Sequence, residues 1–223
     1  MKVKNSKGKG VVNFIKINKH YPPLRSEKLD DNPFVEFSNW FSDAEKKLPE
    51  NLVNAMTLVT VDATNKPSAR IVLLKHFSED GFIFFTNLSS KKAQDIEKNP
   101  NVSILFWWEG LDRQIRIEGQ AEKVSEELAD AYFQTRHRSS QVAALVSPQS
   151  SVIEDFQILT NQYEQLLQKY SDETSKILRP SNWGGFLIKA TQFEFWQGGA
   201  FRLHDRVRYH LKNSQWVIQR LAP

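Results

Sequence analysis

The chain has 223 residues, 40% of them hydrophobic and none of them cysteine, which allows one sizeable core and excludes disulfides, thiolate catalysis and cysteine metal sites. A net charge of +4 suggests nucleic acid at first sight, but Lys2, Lys4, Lys7 and Lys9 stand in the first ten residues without an acid and leave 26 basic and 26 acidic residues elsewhere. The basic character belongs to an expected flexible tail over residues 1–20, ahead of one domain over 21–223, so nucleic acid is not an expected partner. No stretch approaches the ~18 apolar residues of a membrane span and the tail lacks a signal-peptide core, so no membrane partner and a cytoplasmic location are expected. The five histidines show no metal-binding spacing.

In chain order, Pro22-Pro23 and Asn32-Pro33 lead into Phe34–Leu48, where Phe34, Phe37, Trp40, Phe41 and Leu48 fall near helical spacing and predict a docking helix. Ala55–Asp62 and Ser68–His76 are rich in Val, Ile, Leu and Thr around the turn residues 63–67, and Glu79-Asp80-Gly81 turns the chain into Phe82–Thr86. Three consecutive antiparallel strands are expected. Ser89 or Ser90 caps a short helix over Lys91–Lys98, after which Val102–Trp108 and Arg113–Val124 form a second strand pair. Ser125 caps a helix to about Thr135, and Val152–Tyr170 carries Ile153, Phe156, Leu159, Tyr163, Leu166 and Leu167 at the steps of an amphipathic helix. From Trp183 onward the pattern returns to strands, through the alternating Val207, Tyr209 and Leu211 to Trp216–Arg220. With no βαβ alternation, repeat, GxGxxG or Walker sequence, the prediction is a mainly antiparallel β-barrel with peripheral helices and not a Rossmann fold.

Several positions suggest chemistry. Arg70 and Lys75 bracket four aliphatics in a predicted strand, as either an anion site or a pair of solvated strand-end charges. Lys91 and Lys92 open a helix, where the macrodipole disfavours cations unless an anion binds. Tyr132, Arg136 and Ser140 recur every four residues, so they line either a phosphate site or an exposed face of a helix and its continuation. Residues 193–206 pack an acid, two arginines and a histidine around aromatics and Gly198-Gly199, which predict a positive-φ connection. If that stretch is extended, Arg202, His204 and Arg206 share one face suited to a planar anionic ligand. On composition alone, Gln114, Gln149 and Ser150 read as exposed loops or strand edges, Trp196 as core and His204 as a satisfied structural histidine.

The run from Phe193 to Arg206 resembles the C-terminal signature of the pyridoxamine 5'-phosphate oxidases, FMN enzymes that make pyridoxal 5'-phosphate. The segments Arg70–Lys75, Phe85–Asn87, Arg113-Gln114, Ser139–Gln141, Ser147–Ser151, Trp183–Phe186 and Arg220–Pro223 resemble the same family in the same order. The resemblance implies a split β-barrel homodimer with FMN at the subunit interface. It implies FMN contacts from Arg70, Ile71, Val72, Leu73, Leu74, Lys75, Phe85, Thr86, Lys91, Lys92, Gln114, Gln149, Ser150, Trp196 and Arg206. Substrate contacts are implied for Lys75, Tyr132, Arg136, Ser140, Arg202, Leu203 and His204, with Arg202 and His204 nearest the chemistry and Arg202 covering the substrate ring. The implied reaction oxidises pyridoxamine or pyridoxine 5'-phosphate at C4' by transfer of a hydride equivalent to FMN, with oxygen reoxidising the flavin to give hydrogen peroxide. Lys91 stands where the family commonly has arginine, and Asn18–Tyr21 corresponds only loosely to a family segment that closes over the site. A different split-barrel flavoprotein would share the flavin residues without needing Tyr132, Arg136, Ser140 and Arg202–His204.

Overall fold

The computed structural model describes residues 2–4, 11–13, 29–172 and 174–223. Strands β1 (Lys2–Lys4) and β2 (Val11–Asn13) form a separate antiparallel ladder. The rest of the expected tail, with Asn18–Tyr21, lies outside the described residues.

Helix α1 (Pro33–Glu45) starts where Asn32 Oδ1 accepts from the Phe34 N–H and Pro33 occupies the first turn. Its buried Phe34, Phe37, Trp40 and Ala44 enter the main core, where Phe37 meets Phe77, Phe82 and Phe106 edge-on at ring separations of 4.9–5.2 Å. After the short α2 (Glu50–Val53) come β3 (Ala55–Val61), β4 (Pro67–Leu73), β5 (His76–Ser78) and β6 (Gly81–Asn87). The expected three-stranded run breaks here. β4 pairs only with β3, and β6 pairs with β5 and with a distant strand. The Leu74 N–H donates to Asn54 O and the Lys75 N–H to Ile83 O, so the backbone changes partners where an unbroken Ser68–His76 strand was expected.

Helix α3 (Lys91–Lys98) is followed by β7 (Asn101–Trp108) and β8 (Arg113–Lys123), paired antiparallel as predicted. Alternation buries Val102, Ile104, Phe106, Ile115 and Ile117 on one face. Helix α4 (Glu126–Thr135) follows Ser125 as expected and ends where Arg136 takes extended angles (φ −72°, ψ 147°); His137 then caps a further helix that was not foreseen, α5 (Arg138–Val146), through its ring nitrogen. Helix α6 (Phe156–Lys169) begins four residues later than the apolar spacing suggested. Asp155 caps it by accepting from the Gln157 N–H, and Val152 and Ile153 stay outside.

The fifteen-residue β9 (Trp183–Gln197) organises the remainder. It pairs along one edge with β8; on the other edge its first half takes β6 and its second half takes β10 (Asp205–Lys212), which pairs in turn with β11 (Gln215–Leu221). The result is a nine-stranded antiparallel sheet in the order β11-β10-β9-β8-β7-β3-β4, with β6 and β5 attached at β9 and helices at the periphery.

Gly198-Gly199 corrects an expectation. Neither glycine has positive φ; Gly199 is required because a Cβ would lie 2.0 Å from the backbone Leu203 O, whereas at Gly198 a Cβ would displace the Asp112 carboxylate, 1.8 Å away. The left-handed angles fall instead on Phe201 (φ 57°) and Arg202 (φ 63°), within a 3-10 turn over Ala200–Arg202. The stretch is therefore not extended, and Arg202, His204 and Arg206 do not form one strand face.

Candidate active site

A cleft of about 680 Å³ opens between β4, the end of β6, the α4–α5 junction and the start of β9. Its floor is aromatic. The rings of Phe85, Tyr132 and Trp183 lie nearly parallel, with centroids 4.0 Å apart for Phe85 and Tyr132 and 5.4 Å for Phe85 and Trp183. Gly185 permits this tier, since a Cβ there would stand 2.7 Å from the Phe85 ring.

Three cationic side chains line the cleft, Lys75, Lys92 and Arg136, of which Lys92 is buried and Arg136 half-buried. Lys92, buried at the first turn of α3, donates to Thr86 Oγ1 at 3.1 Å, Ser90 Oγ at 3.1 Å and Gln149 Oε1 at 2.7 Å. All three acceptors are neutral, and among the described residues no carboxylate pairs with it. Burial, helped by the nearby Arg70 charge, lowers its pKa from 10.5 to about 8. Ser90 holds the cap position predicted for α3, but its hydroxyl serves Lys92 and makes no cap hydrogen bond.

The Arg136 guanidinium lies 4.7 Å from the Trp183 ring centroid, Nη1 is buried without a hydrogen-bond partner, and burial lowers its pKa. Tyr132 and Ser140 line the cleft beside it, so the three residues expected on a helix and its continuation are gathered across the break between α4 and α5. A buried, unpartnered donor and an uncompensated ammonium are costly unless an anion arrives. The cleft thus joins cationic donors from separate elements to a flat aromatic floor, a lining that fits a flavin phosphate and a phosphorylated aromatic substrate.

The other expected residues fall into three places. Ile71, Val72, Leu73, Lys75, Phe85, Thr86 and Gln149 line the same cleft, whereas Leu74 turns into the core. Arg70 is held away from it: Nη1 donates to Leu58 O, Ser68 O and Thr60 Oγ1, and Nη2 lies 3.9 Å from the buried Asp95. Lys91 and Ser150 line a neighbouring cleft of about 420 Å³, where the Lys91 ammonium sits 2.9 Å from Asp95 and 3.8 Å from Asp62.

Gln114, Trp196 and Arg206 form one cross-strand row over β8, β9 and β10. This row is at the far end of β9 from Gly184 and Gly185, which pair with Thr86 and Phe85; at roughly 3.3 Å per residue, eleven residues separate them by up to about 36 Å. Arg202, Leu203 and His204 follow on the exposed turn beside the row, with the His204 ring 4.6 Å from Trp196. His204 Nδ1 accepts from the Gly199 N–H at 3.2 Å, which leaves the proton of a neutral ring on Nε2. One chain therefore does not bring all the expected site residues to one ligand.

The sequence reading missed Trp183 as a site residue, although the Trp183–Phe186 segment was noticed; its signal was a tryptophan followed by two glycines at a strand start. His137 also lines the cleft while capping α5, and Arg138 ties the carbonyls of Tyr170, Asp172 and Ser175.

Fold and cleft together define a split-barrel protein with an aromatic, cationic ligand site. Comparison with known proteins narrows the class. Residues 43–170 match the pyridoxamine 5'-phosphate oxidase family, and residues 183–223 match the pyridoxine 5'-phosphate oxidase C-terminal dimerisation region. The chain is 51% identical over 201 residues to pyridoxine/pyridoxamine 5'-phosphate oxidase 2 of Hydrogenovibrio crunogenus, covering 90% of this chain and 92% of that protein. The chain belongs to the pyridoxamine 5'-phosphate oxidase family.

Among solved structures, PhzG from Burkholderia lata in complex with tetrahydrophenazine-1-carboxylic acid superposes with a TM-score of 0.82 at 24% identity, covering 88% of this chain and 95% of that one. A pyridoxamine 5'-phosphate oxidase-related, FMN-binding protein from Nostoc punctiforme gives 0.67 at 18% identity, covering 84% and 97%. At these identities the likeness bears out the split-barrel architecture alone.

Proposed function

We propose that the chain is an FMN-dependent oxidase that converts pyridoxamine 5'-phosphate and pyridoxine 5'-phosphate to pyridoxal 5'-phosphate, with oxygen as electron acceptor, hydrogen peroxide as product, and a cytoplasmic homodimer as the working form. The observation that carries this is the pair Lys92 and Arg136, two cations held without acidic partners at separate points of one aromatic-floored cleft. A cofactor phosphate and a substrate phosphate match them. FMN, when bound, supplies the two-electron acceptor.

The chain's own residues bind and orient. Lys92, with Thr86 and Gln149 beside it, is assigned to the flavin phosphate. Arg136, Tyr132 and Ser140 take the substrate phosphate, fixing the distance from that anchor to the reacting carbon. The row Gln114, Trp196, Arg206 and the turn Arg202–His204 lie too far along β9 to serve the same cleft, so a second copy is assigned to supply them; the match to a dimerisation region over 183–223 supports this. Arg202 then covers the substrate ring, and His204 presents an Nε2–H donor in place of a general base.

The test is to load the purified chain with FMN and measure peroxide formed from each phosphorylated substrate and from unphosphorylated pyridoxine. Peroxide from the phosphorylated compounds alone is expected. Tight FMN binding without peroxide from either would favour a flavoprotein with a different substrate, and failure to take up FMN would sink the proposal.

A further inference from the structure

Glu194 is a carboxylate buried to 2% exposure on β9, on the sheet face opposite the core residues Phe193 and Phe195. Arg206 Nε and Nη2 both approach its Oε1 at 2.8 Å, while Arg206 Nη1 donates to Ala222 O at 2.8 Å. Nε and Nη1 each donate a hydrogen bond and Nη2 is held beside the same carboxylate oxygen, which fixes the plane of the guanidinium and still leaves N–H donors for a ligand. Arg116 Nη2 lies 2.8 Å from the other oxygen, Oε2, without the alignment of a hydrogen bond. Two arginines share this carboxylate, and Arg116 is also paired with Glu118, whose Oε1 lies 3.3 Å from its Nε, so the charges of the cluster balance. Burying these ions is costly, and an apolar pair of similar volume would hold the strands at least as well.

We propose that Glu194 is a positioning residue: it holds the Arg206 guanidinium in the row with Trp196 and Gln114, in the orientation that meets the flavin. The inference rests on the assignment of Arg206 to FMN made above. Glu194 lies one row along from Trp196 and reaches diagonally to Arg206, so it acts through that arginine and does not itself touch the ligand. Arg206 spans β10 and the carbonyl of Ala222, which ties the end of β11 to the same clamp.

The experiment is a double-mutant cycle on the full chain, stripped of flavin and titrated with FMN by fluorescence quenching. Arg206→Ala and Glu194→Ala are each expected to weaken FMN about tenfold, the order expected for lost hydrogen bonds to a charged group. The double variant is expected to bind no more weakly than Arg206→Ala alone, because Glu194 has nothing left to position. Glu194→Gln keeps an acceptor oxygen and the side-chain shape. It is expected to fold like the parent and to raise the midpoint potential of the bound flavin, as one negative charge beside Arg206 is gone; this readout stands if Glu194→Ala does not fold. Losses that multiply in the double variant, or a Glu194→Gln flavin at the parental potential, overturn the proposal alone. An Arg206→Ala protein that binds FMN like the parent overturns the flavin assignment of Arg206 and the proposal with it.

Discussion

Lys92 on α3 and Gln149 on the loop after α5 meet through a 2.7 Å hydrogen bond, closing one side of the cleft with an ammonium that faces only neutral oxygens. A lysine so placed has its charge set by the ligand it awaits. Its pKa of about 8 puts the loss of that charge near neutral pH.

FMN affinity is therefore expected to be greatest below pH 8 and to fall as the pH rises above it, since a phosphate dianion binds the protonated amine. Lys92→Met is expected to bind FMN at least tenfold more weakly at pH 7 and to lack the step. Stability has the opposite sign. The folded pKa lies below the unfolded value of 10.5, so between about 8 and 10.5 the unfolded chain holds more protons, and the contribution of Lys92 to apo-protein stability rises with pH across that window. Urea melts of parent and Lys92→Met at pH 7.5 and 10 check this; a difference between the two proteins that does not change with pH would contradict it.

Arg136→Ala is expected to act mainly on KM for the phosphorylated substrates, because the phosphate is held alike in ground and transition states, with a cost of about 2–5 kcal/mol if the charge pair is desolvated. Arg136→Lys should recover little, since the planar group over Trp183 is lost. Arg202→Ala should instead lower kcat and slow anaerobic flavin reduction. Both variants should retain FMN. A parental reduction rate in Arg202→Ala would remove Arg202 from the chemistry.

Local signals were legible in the sequence wherever one element decided them. Asn32-Pro33 fixed the start of α1, and the alternation of Val102, Ile104 and Phe106 fixed β7. What was not legible depended on contacts far along the chain. The β4–β6 pairing failed because Leu74 and Lys75 bond to Asn54 and Ile83, and the space beside Gly198 is taken by the Asp112 side chain, 86 residues away in sequence. Spacing and resemblance singled out Tyr132, Arg136 and Ser140, but the reason they converge on one cleft is the extended backbone at Arg136, which periodicity does not reveal. Family likeness named Lys91 and Lys92 together; only the structure separates them, into a tethered cation and an unpaired one.

That separation bears on Lys91→Arg. The lysine is a single charge already set against Asp95 and Asp62, and those carboxylates offset the charge it can offer a phosphate. A guanidinium fork can hold Asp95 with one edge and a phosphate with the other. The substitution is expected to tighten FMN modestly and to flatten its salt dependence. Fluorescence titrations of apo-protein at two ionic strengths measure both quantities, and a large loss of affinity would show that the lysine has another role.

The separation of the two residue groups along β9 makes the subunit origin of the site testable by mixing. Lys92→Met damages the cleft, and Arg206→Ala damages the row at the other end of the strand. If each site takes its cleft from one copy and its row from the other, a dimer of one variant of each kind has one site with both lesions and one with neither. Random re-pairing of equal amounts makes half the dimers mixed, so about a quarter of parental activity is expected at FMN levels where neither variant alone is active. FMN should also hold the dimer together, since a ligand that binds only the assembled form stabilises it by mass action. Sedimentation with and without FMN measures that linkage. A mixture no more active than its two components, with a monomer that binds FMN as tightly as the dimer, would place the whole site within one chain, and the row Gln114, Trp196, Arg206 would then need another purpose.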